Sequence, residues 1–226
     1  LFLEPPTQKH AHLKLKIYNV DGSLAENCVN GIRALALYAF DESLVFSNTF
    51  ILQIEDNLAQ ITRLQENEFA VKMSSFKFTK SSCAIAGSQE LQFNFEGTDI
   101  KFYPVSVGNP HAVIFQDSLS DQIPEMGLTL QESNIYKNGV NVGFVEILNE
   151  KEINLRVVER GVGETLACGS GACAAVLSGV KNNLLQSSVL VNFKKGKLKV
   201  EVNLDEEWFN LIGEAKYIEK GIKINP

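Results

Sequence analysis

The order of apolar and polar residues along the chain predicts many short strands and few helices. LKLKIYNVDG, residues 13–22, alternates apolar and polar side chains and ends in Asp-Gly, which is typical of a strand followed by a turn. FYPVSVGNPHAVIF, residues 102–115, predicts two strands joined by a Gly-Asn-Pro turn, and further strand-like runs include EFAVKM, NVGFVEIL and KLKVEV. We therefore expect an α+β protein with mainly antiparallel sheets.

Three stretches have helical composition. GIRALALYAF, residues 31–40, is apolar on nearly every side, which predicts a helix inside a core. SDQIPEMGLTLQES, residues 120–133, predicts a short helix, and the alanine-rich ACAAVL, residues 172–177, predicts a third.

An internal repeat relates the first and the third of these helices. LKIYNVDGSLAENCVNGIRALAL, from Leu15, aligns without a gap with LRVVERGVGETLACGSGACAAVL, from Leu155, at an offset of 140 residues (155 − 15). Cys28 thereby aligns with Cys168, and each copy reads as strand, loop, cysteine, glycine and helix. Because this offset exceeds the period of any solenoid, we expect two homologous half-domains facing each other, with both cysteines converging on one cleft.

Composition and charge limit the classes of partner. The 226 residues carry 21 basic and 27 acidic side chains, and the longest basic cluster is FKKGKLK, residues 193–199. Nucleic acid and anionic membrane surfaces are therefore not expected as partners. No apolar run approaches the ~18 residues of a membrane span. The cysteine spacing fits neither a disulfide framework nor a metal site, so we expect reduced thiols, no metal and a cytoplasmic location.

The paired cysteines suggest proton transfer. A cysteine directly before a helix lies beside free backbone N–H groups and the positive end of the helix dipole. We expect this environment to lower the pKa of the thiol and the same N–H groups to hold a carboxylate. A thiolate and a thiol on opposite faces of one substrate carbon would invert that carbon. A structural role remains the alternative, and we assign it to Cys83 and Cys173, which we expect to pack in cores.

Four motifs make the chain resemble the diaminopimelate epimerase family of cofactor-independent amino-acid epimerases. They are YNVDGSLAENCVNGIRA, VSVGNPHAV, VNVGFVEI and RVVERGVGETLACGSGACAA, and their order and spacing match the family from Leu1 to about Ile224. The resemblance implies two pseudo-symmetric half-domains, each a mainly antiparallel, barrel-like sheet wrapped around a central helix. It places the N-terminal half in residues 1–71 with 214–226, and the C-terminal half in residues 72–213.

The resemblance also implies roles for individual residues. Cys28 and Cys168 would be the acid/base pair, and Val29, Asn30, Gly169 and Ser170 would bind the α-carboxylate. Glu159 would accept from the α-ammonium, and Arg160 would pair with the distal carboxylate through its planar guanidinium. The remaining substrate contacts implied are Asn19, Asn109 and Asn141, with His111 either a site residue or a structural hydrogen-bonding group. The small-molecule substrate would be diaminopimelate, with no cofactor, and a homodimer is compatible with this interpretation.

Two departures from the family keep other functions open. Val29 replaces the glycine that usually follows the first cysteine, and family members have an additional segment upstream of Leu1, so we expect an N-terminally truncated chain. The leading hypothesis is interconversion of LL- and meso-diaminopimelate in the synthesis of lysine and peptidoglycan precursors. The alternatives are a racemase or epimerase of another amino acid, such as proline or histidine, and a catalytically impaired fragment that only binds substrate. A thiol oxidoreductase is a weaker alternative.

Overall fold

Strands account for most of the regular structure in the computed structural model, which describes residues 1–18, 22, 24, 29–85 and 91–218. The first part of the chain forms β1 Phe2–Glu4, β2 Leu13–Lys16, α1 Val29–Asp41, β3 Thr49–Ile54, β4 Asn57–Gln65 and β5 Glu68–Met73. The middle part forms a 3-10 turn at Ser81–Cys83, then β6 Gln92–Phe95, β7 Thr98–Lys101, β8 Tyr103–Ser106, β9 Pro110–Gln116 and α2 Ile123–Glu132. The last part forms β10 Asn141–Asn149, β11 Glu152–Glu159, β12 Gly163–Thr165, α3 Gly169–Lys181, β13 Ser188–Asn192, β14 Lys197–Asn203 and β15 Trp208–Glu214.

Thirteen of these strands form one sheet, and β6 and β7 pair separately. The sheet has the order β1-β2-β3-β4-β5-β15-β14-β13-β11-β10-β9-β8, with β12 paired to β11. Among the described residues three strand pairings are parallel, β2 with β3, β9 with β10 and β11 with β13. The others are antiparallel, so the expected α+β fold with a mainly antiparallel sheet is confirmed.

The sequence repeat is also a structural repeat. In the first copy β1 pairs antiparallel with β2, β2 parallel with β3, and β3 and β5 each antiparallel with β4. In the second copy β10, β11, β13, β14 and β15 repeat this series of pairings in the same order. The helices α1 and α3 each have 13 residues and begin 140 positions apart (169 − 29).

The two copies join through β5 and β15, which are equivalent strands. They pair antiparallel, and Val71 lies opposite Leu211, its own equivalent at the offset of 140 residues (211 − 71). Equivalent residues meet in this way only close to a two-fold axis, so an approximate two-fold axis passes through this pair. The division of the chain at residues 71–72 and 213–214 stays a prediction.

Helix α3 lies inside the second copy of the repeat. Every residue from Gly169 to Gly179 is buried, and the helix contacts β8, β9, β10, β11, β14 and β15. Its small side chains allow this close approach; a Cβ at Gly171 would lie 2.9 Å from a Val157 methyl carbon. Helix α1 is buried along most of its surface, with Tyr38 exposed, and packs on β5, β15 and α3. No described helix has the length and apolar character of a membrane span.

Within the described part of the chain the buried apolar side chains form two clusters. The larger one surrounds α1 and α3 and contains Cys173, and the smaller one lies beneath α2 and contains Cys83. Both thiols are fully buried, as the sequence predicts for core residues, and burial raises the pKa of each. α2 itself begins at Ile123 with a proline in its first turn, within the range predicted for a short helix.

Candidate active site

Cys168 occupies the residue before α3, where the backbone changes from extended to helical. Its φ and ψ angles are −126° and 110°, and Gly169 begins the helix. The amides of the first turn have no acceptors within the helix and are available to an anion. The Ser170 hydroxyl lies 3.5 Å from the Cys168 sulfur, and both residues are buried. The thiol therefore adjoins a helix N-terminus, as the repeat predicts.

The N-terminus of α1 meets the N-terminus of α3. Asn30, in the first turn of α1, donates from Nδ2 to the Ala167 carbonyl oxygen at 3.4 Å. A Cβ on Gly169 would lie 2.7 Å from Asn30 Oδ1, so the two turns are in direct contact. Val29 is helical and 1% exposed, so valine is accommodated in the core at this position. Cys28 and Asn19 lie outside the described residues.

Glu159 is held beside Cys168 by the β11–β12 hairpin. It ends β11 and lies opposite Gly163, and the Thr165 hydroxyl donates to its Oε1 at 2.5 Å. Arg156 stabilises the same hairpin, donating to both oxygens of Glu164 at 2.7 and 2.8 Å. This paired geometry fixes the hairpin, and it lowers the pKa of Glu164 to about 2.

The expected lowering of the Cys168 pKa is wrong in this structure. Burial is the largest cause of a rise to about 12, and the negative charge of Glu159 adds to it. The Ser170 hydroxyl and the Gly171 amide favour the thiolate and offset only part of the rise. Desolvation of the charged form therefore outweighs the helix N-terminus, and Cys168 is a thiol at neutral pH.

A second group of polar residues includes Arg160, which directly follows Glu159 in sequence. Its other members are Asn109, His111 and Asn141. Asn141 accepts from the Arg160 amide at 3.0 Å and donates to the Pro110 carbonyl at 3.3 Å. Arg160 extends its exposed side chain past Gly139 and donates to the Asn138 carbonyl at 3.0 Å. Asn141 is thus fixed on both sides of its amide.

His111 is the most buried member of this group. It lies opposite Asn141 in the β9–β10 pairing, and its Nε2 is 3.2 Å from Asn109 Oδ1. Burial, with the positive charge of Arg160 as a smaller cause, lowers its pKa to about 3. The ring is therefore neutral at physiological pH. Among the residues that the structure describes, no group of three His, Cys, Asp or Glu side chains could bind a metal ion.

Comparison with known proteins identifies the family. Residues 103–218 match the family model described as diaminopimelate epimerase. A diaminopimelate epimerase of Teredinibacter turnerae is 33% identical over 98% of this chain and 82% of its own length. A second, from Acinetobacter baumannii, is 36% identical over 89% of this chain and 73% of its own length. The chain belongs to the diaminopimelate epimerase family. It is an isomerase of the epimerase type.

A solved structure supports the fold of this family member. A probable proline racemase from Agrobacterium radiobacter superposes with a TM-score of 0.72 over 99% of this chain and 75% of its own length. Its sequence is 12% identical, so the likeness concerns the fold.

Sequence reasoning missed two residues of this epimerase that contact predicted site residues. A hairpin places residues on either side of its turn close together, so the sequence could have indicated that Thr165 lies near the end of β11. Its hydrogen bond with Glu159 depends on the register of the two strands, which the sequence did not provide. Arg33 contacts Asn30 and stands where the second repeat has Cys173, a difference that the alignment of the repeats shows without explaining.

The buried neutral His111 makes stability depend on pH. Since its pKa is lowered to about 3 in the folded protein, the unfolded chain binds an extra proton below the ordinary value of about 6.5. We expect the free energy of unfolding to fall between about pH 7.5 and about pH 5.5, and the His111→Gln variant to fall less steeply. Urea denaturation at both pH values measures the slope. The exposed His10→Gln variant is the control, and equal slopes for wild type and His111→Gln would contradict the prediction.

Proposed function

We propose that this epimerase interconverts LL- and meso-diaminopimelate by proton transfer between two cysteines, Cys28 and Cys168, at the α-carbon. The proposal takes its substrate from the names of the relatives and its chemistry from the site. It places the reaction in the synthesis of lysine and peptidoglycan precursors. It needs no cofactor, and it is compatible with a homodimer.

The observation that carries the proposal is the meeting of the two helix N-termini. Cys168 directly precedes α3, and Cys28 directly precedes Val29, the first residue of α1. Asn30 bridges the two turns through its contacts with Ala167 and Gly169. Two thiols attached to adjoining helix starts are suited to opposite faces of one substrate carbon, and the amides between them to its carboxylate.

The proton transfer is balanced without any further reactant. One cysteine, as thiolate, removes the α-proton, and the electron pair of the broken C–H bond delocalises into the α-carboxylate. The other cysteine donates its thiol proton to the opposite face, which forms the new C–H bond and leaves a thiolate there. Because burial keeps Cys168 protonated, we assign the first donation to Cys168 and the first abstraction to Cys28. The amides of Val29, Asn30, Gly169 and Ser170 stabilise the developing charge.

The other residues hold the two ends of the substrate. Glu159 accepts from the α-ammonium, and this cation offsets the negative charge that opposes ionisation of Cys168. Arg160, whose side chain is exposed, pairs with the distal carboxylate, and Asn19, Asn109 and Asn141 complete the contacts. His111 stays neutral and keeps Asn109 in place through their 3.2 Å contact.

Solvent deuterium incorporation tests the proposal. LL-diaminopimelate incubated with the protein in deuterium oxide should gain one deuterium at an α-carbon and yield the meso isomer, measured by mass spectrometry and chiral chromatography. L-Proline and L-histidine should stay unlabelled, because neither offers a second carboxylate to Arg160. Labelling of proline or histidine alone would assign another amino acid to the site. Calorimetric binding of diaminopimelate without labelling would make this chain a binding protein and refute the proposal.

A further inference from the structure

Arg33 is a buried cation between the two helices of the site. Its side chain is 7% exposed, and its Nη2 donates to Asn30 Oδ1 at 2.9 Å. Its charge also acts on Cys173 in α3, where it opposes the rise that burial causes in the thiol pKa. The second repeat places Cys173 itself at the equivalent position, so this cation interrupts the symmetry of the two copies at their contact.

The guanidinium decides which way the Asn30 amide faces. An arginine side chain has only donors, so the asparagine oxygen must point to Arg33 and its NH2 group must point away. The NH2 group then donates to the carbonyl oxygen of Ala167, the peptide that directly precedes Cys168. A chain of two hydrogen bonds thus runs from Arg33 through Asn30 to the residue before Cys168.

Close packing keeps this chain in place. Asn30 Oδ1 would be 2.7 Å from a Cβ on Gly169, and Arg33 Nε would be 3.5 Å from a Cβ on Gly213. Gly213 lies on β15, and Leu211 of the same strand also lies against Gly169. Arg33 is therefore confined between its own helix and the strand at the approximate two-fold axis. Displacement of its guanidinium would be transmitted to Asn30.

We propose that Arg33 is a positioning residue that sets the separation of the two helix N-termini, by fixing the Asn30 amide against the Ala167 carbonyl. The inference rests on the proposed function, in which that separation determines whether both thiols reach one α-carbon. In this role Arg33 itself touches no reacting atom. Its loss should act on the proton transfer more than on substrate binding, because a misplacement of about 1 Å is sufficient to cost roughly 100-fold in rate.

The test compares Arg33→Met and Arg33→Lys with wild type in the epimerisation assay. We expect Arg33→Met to lower kcat about 100-fold while KM changes by less than about threefold. Arg33→Lys retains a donor for Asn30 Oδ1, and we expect it to recover at least about tenfold of that loss. Arg63→Met is the matched control, since Arg63 lies on β4 and donates to the Glu66 carbonyl outside the site. Its kcat should stay within about twofold of wild type.

Hydrogen exchange supplies a second measurement that does not require turnover. In Arg33→Met, amides of the peptide spanning residues 163–172 should exchange faster, while those of β8 and β9 stay unchanged. If the wild type is active and the kcat of Arg33→Met lies within about threefold of it, the inference is overturned and the proposed function is left standing. The inference is also overturned if the loss of kcat in Arg33→Met equals the loss of folded protein and Arg33→Lys does not recover it. An inactive wild type would refute the proposed function, and unchanged exchange at residues 163–172 would then refute the positioning role as well.

Discussion

Replacing Cys168 by serine is expected to lower kcat for epimerisation about 10³-fold, within the range of a lost general acid or base. The thiol is 4% exposed and adjoins the α3 N-terminus, where a substrate carbon held by the helix amides would meet it. A serine hydroxyl occupies the same place but is a far weaker acid. It therefore donates a proton poorly and does not form the anionic base that the reverse direction requires. Initial rates in both directions, from LL- and from meso-diaminopimelate, measure the effect.

Cys83→Ala is the matched control for this substitution. Cys83 is as fully buried as Cys168, but it lies in the smaller apolar cluster beneath α2. We expect its kcat to stay within about twofold of wild type, with a stability loss of about 1 kcal/mol. The proposed mechanism also requires Cys28→Ser to match the loss in Cys168→Ser. Turnover of Cys168→Ser within about tenfold of wild type would contradict the assignment of the proton to this thiol.

Replacing Gly169 by alanine is expected to lower kcat/KM about 100-fold. The new methyl group would lie 2.7 Å from Asn30 Oδ1 and 3.2 Å from a Leu211 methyl carbon. Overpacking of this kind typically costs about 1–3 kcal/mol, and here it must displace Asn30 or the first turn of α3. Either displacement separates the amides that the proposal assigns to the α-carboxylate. Steady-state kinetics and thermal unfolding of the purified variant measure both effects.

Gly143→Ala is the control for this glycine. Gly143 lies on β10, where a Cβ would be 3.5 Å from a Leu155 methyl carbon, an ordinary van der Waals contact. We expect this variant to keep kcat/KM within about twofold of wild type. If Gly169→Ala also retained that activity, the close contact between the two helix starts would not matter for the reaction.

Local patterns were sufficient to predict the main elements. Period-two alternation predicted β2, and the repeat predicted that Cys168, like Cys28, precedes a helix. The repeat signal is strong because a helix start is a local event: an extended residue, a glycine and small helix-forming residues follow one another in sequence. The same pattern predicted two facing copies, which the β5–β15 pairing now relates by an approximate two-fold axis.

The electrostatic state of the site could not be predicted in this way. A cysteine before a helix predicts a lowered pKa, yet burial and Glu159 raise that of Cys168 to about 12. Glu159 and Cys168 are nine positions apart in sequence (168 − 159), and only the β11–β12 hairpin brings the carboxylate to the thiol. Desolvation is set by all the atoms packed around a group, and a sequence pattern does not contain that sum.

By itself, then, the sequence determined the family, the two-copy architecture and the residue types available for catalysis. These depend on motifs and periodicities that are read along the chain. Only the tertiary structure decided that Asn30 spans from α1 to Ala167, that Arg33 orients it, and that His111 is buried and neutral. The Asn30–Ala167 contact joins the two copies of the repeat, and His111 is buried against β10, which follows it in the chain after α2. Arg33 is one turn from Asn30 in α1, but its confinement depends on β15, far along the chain.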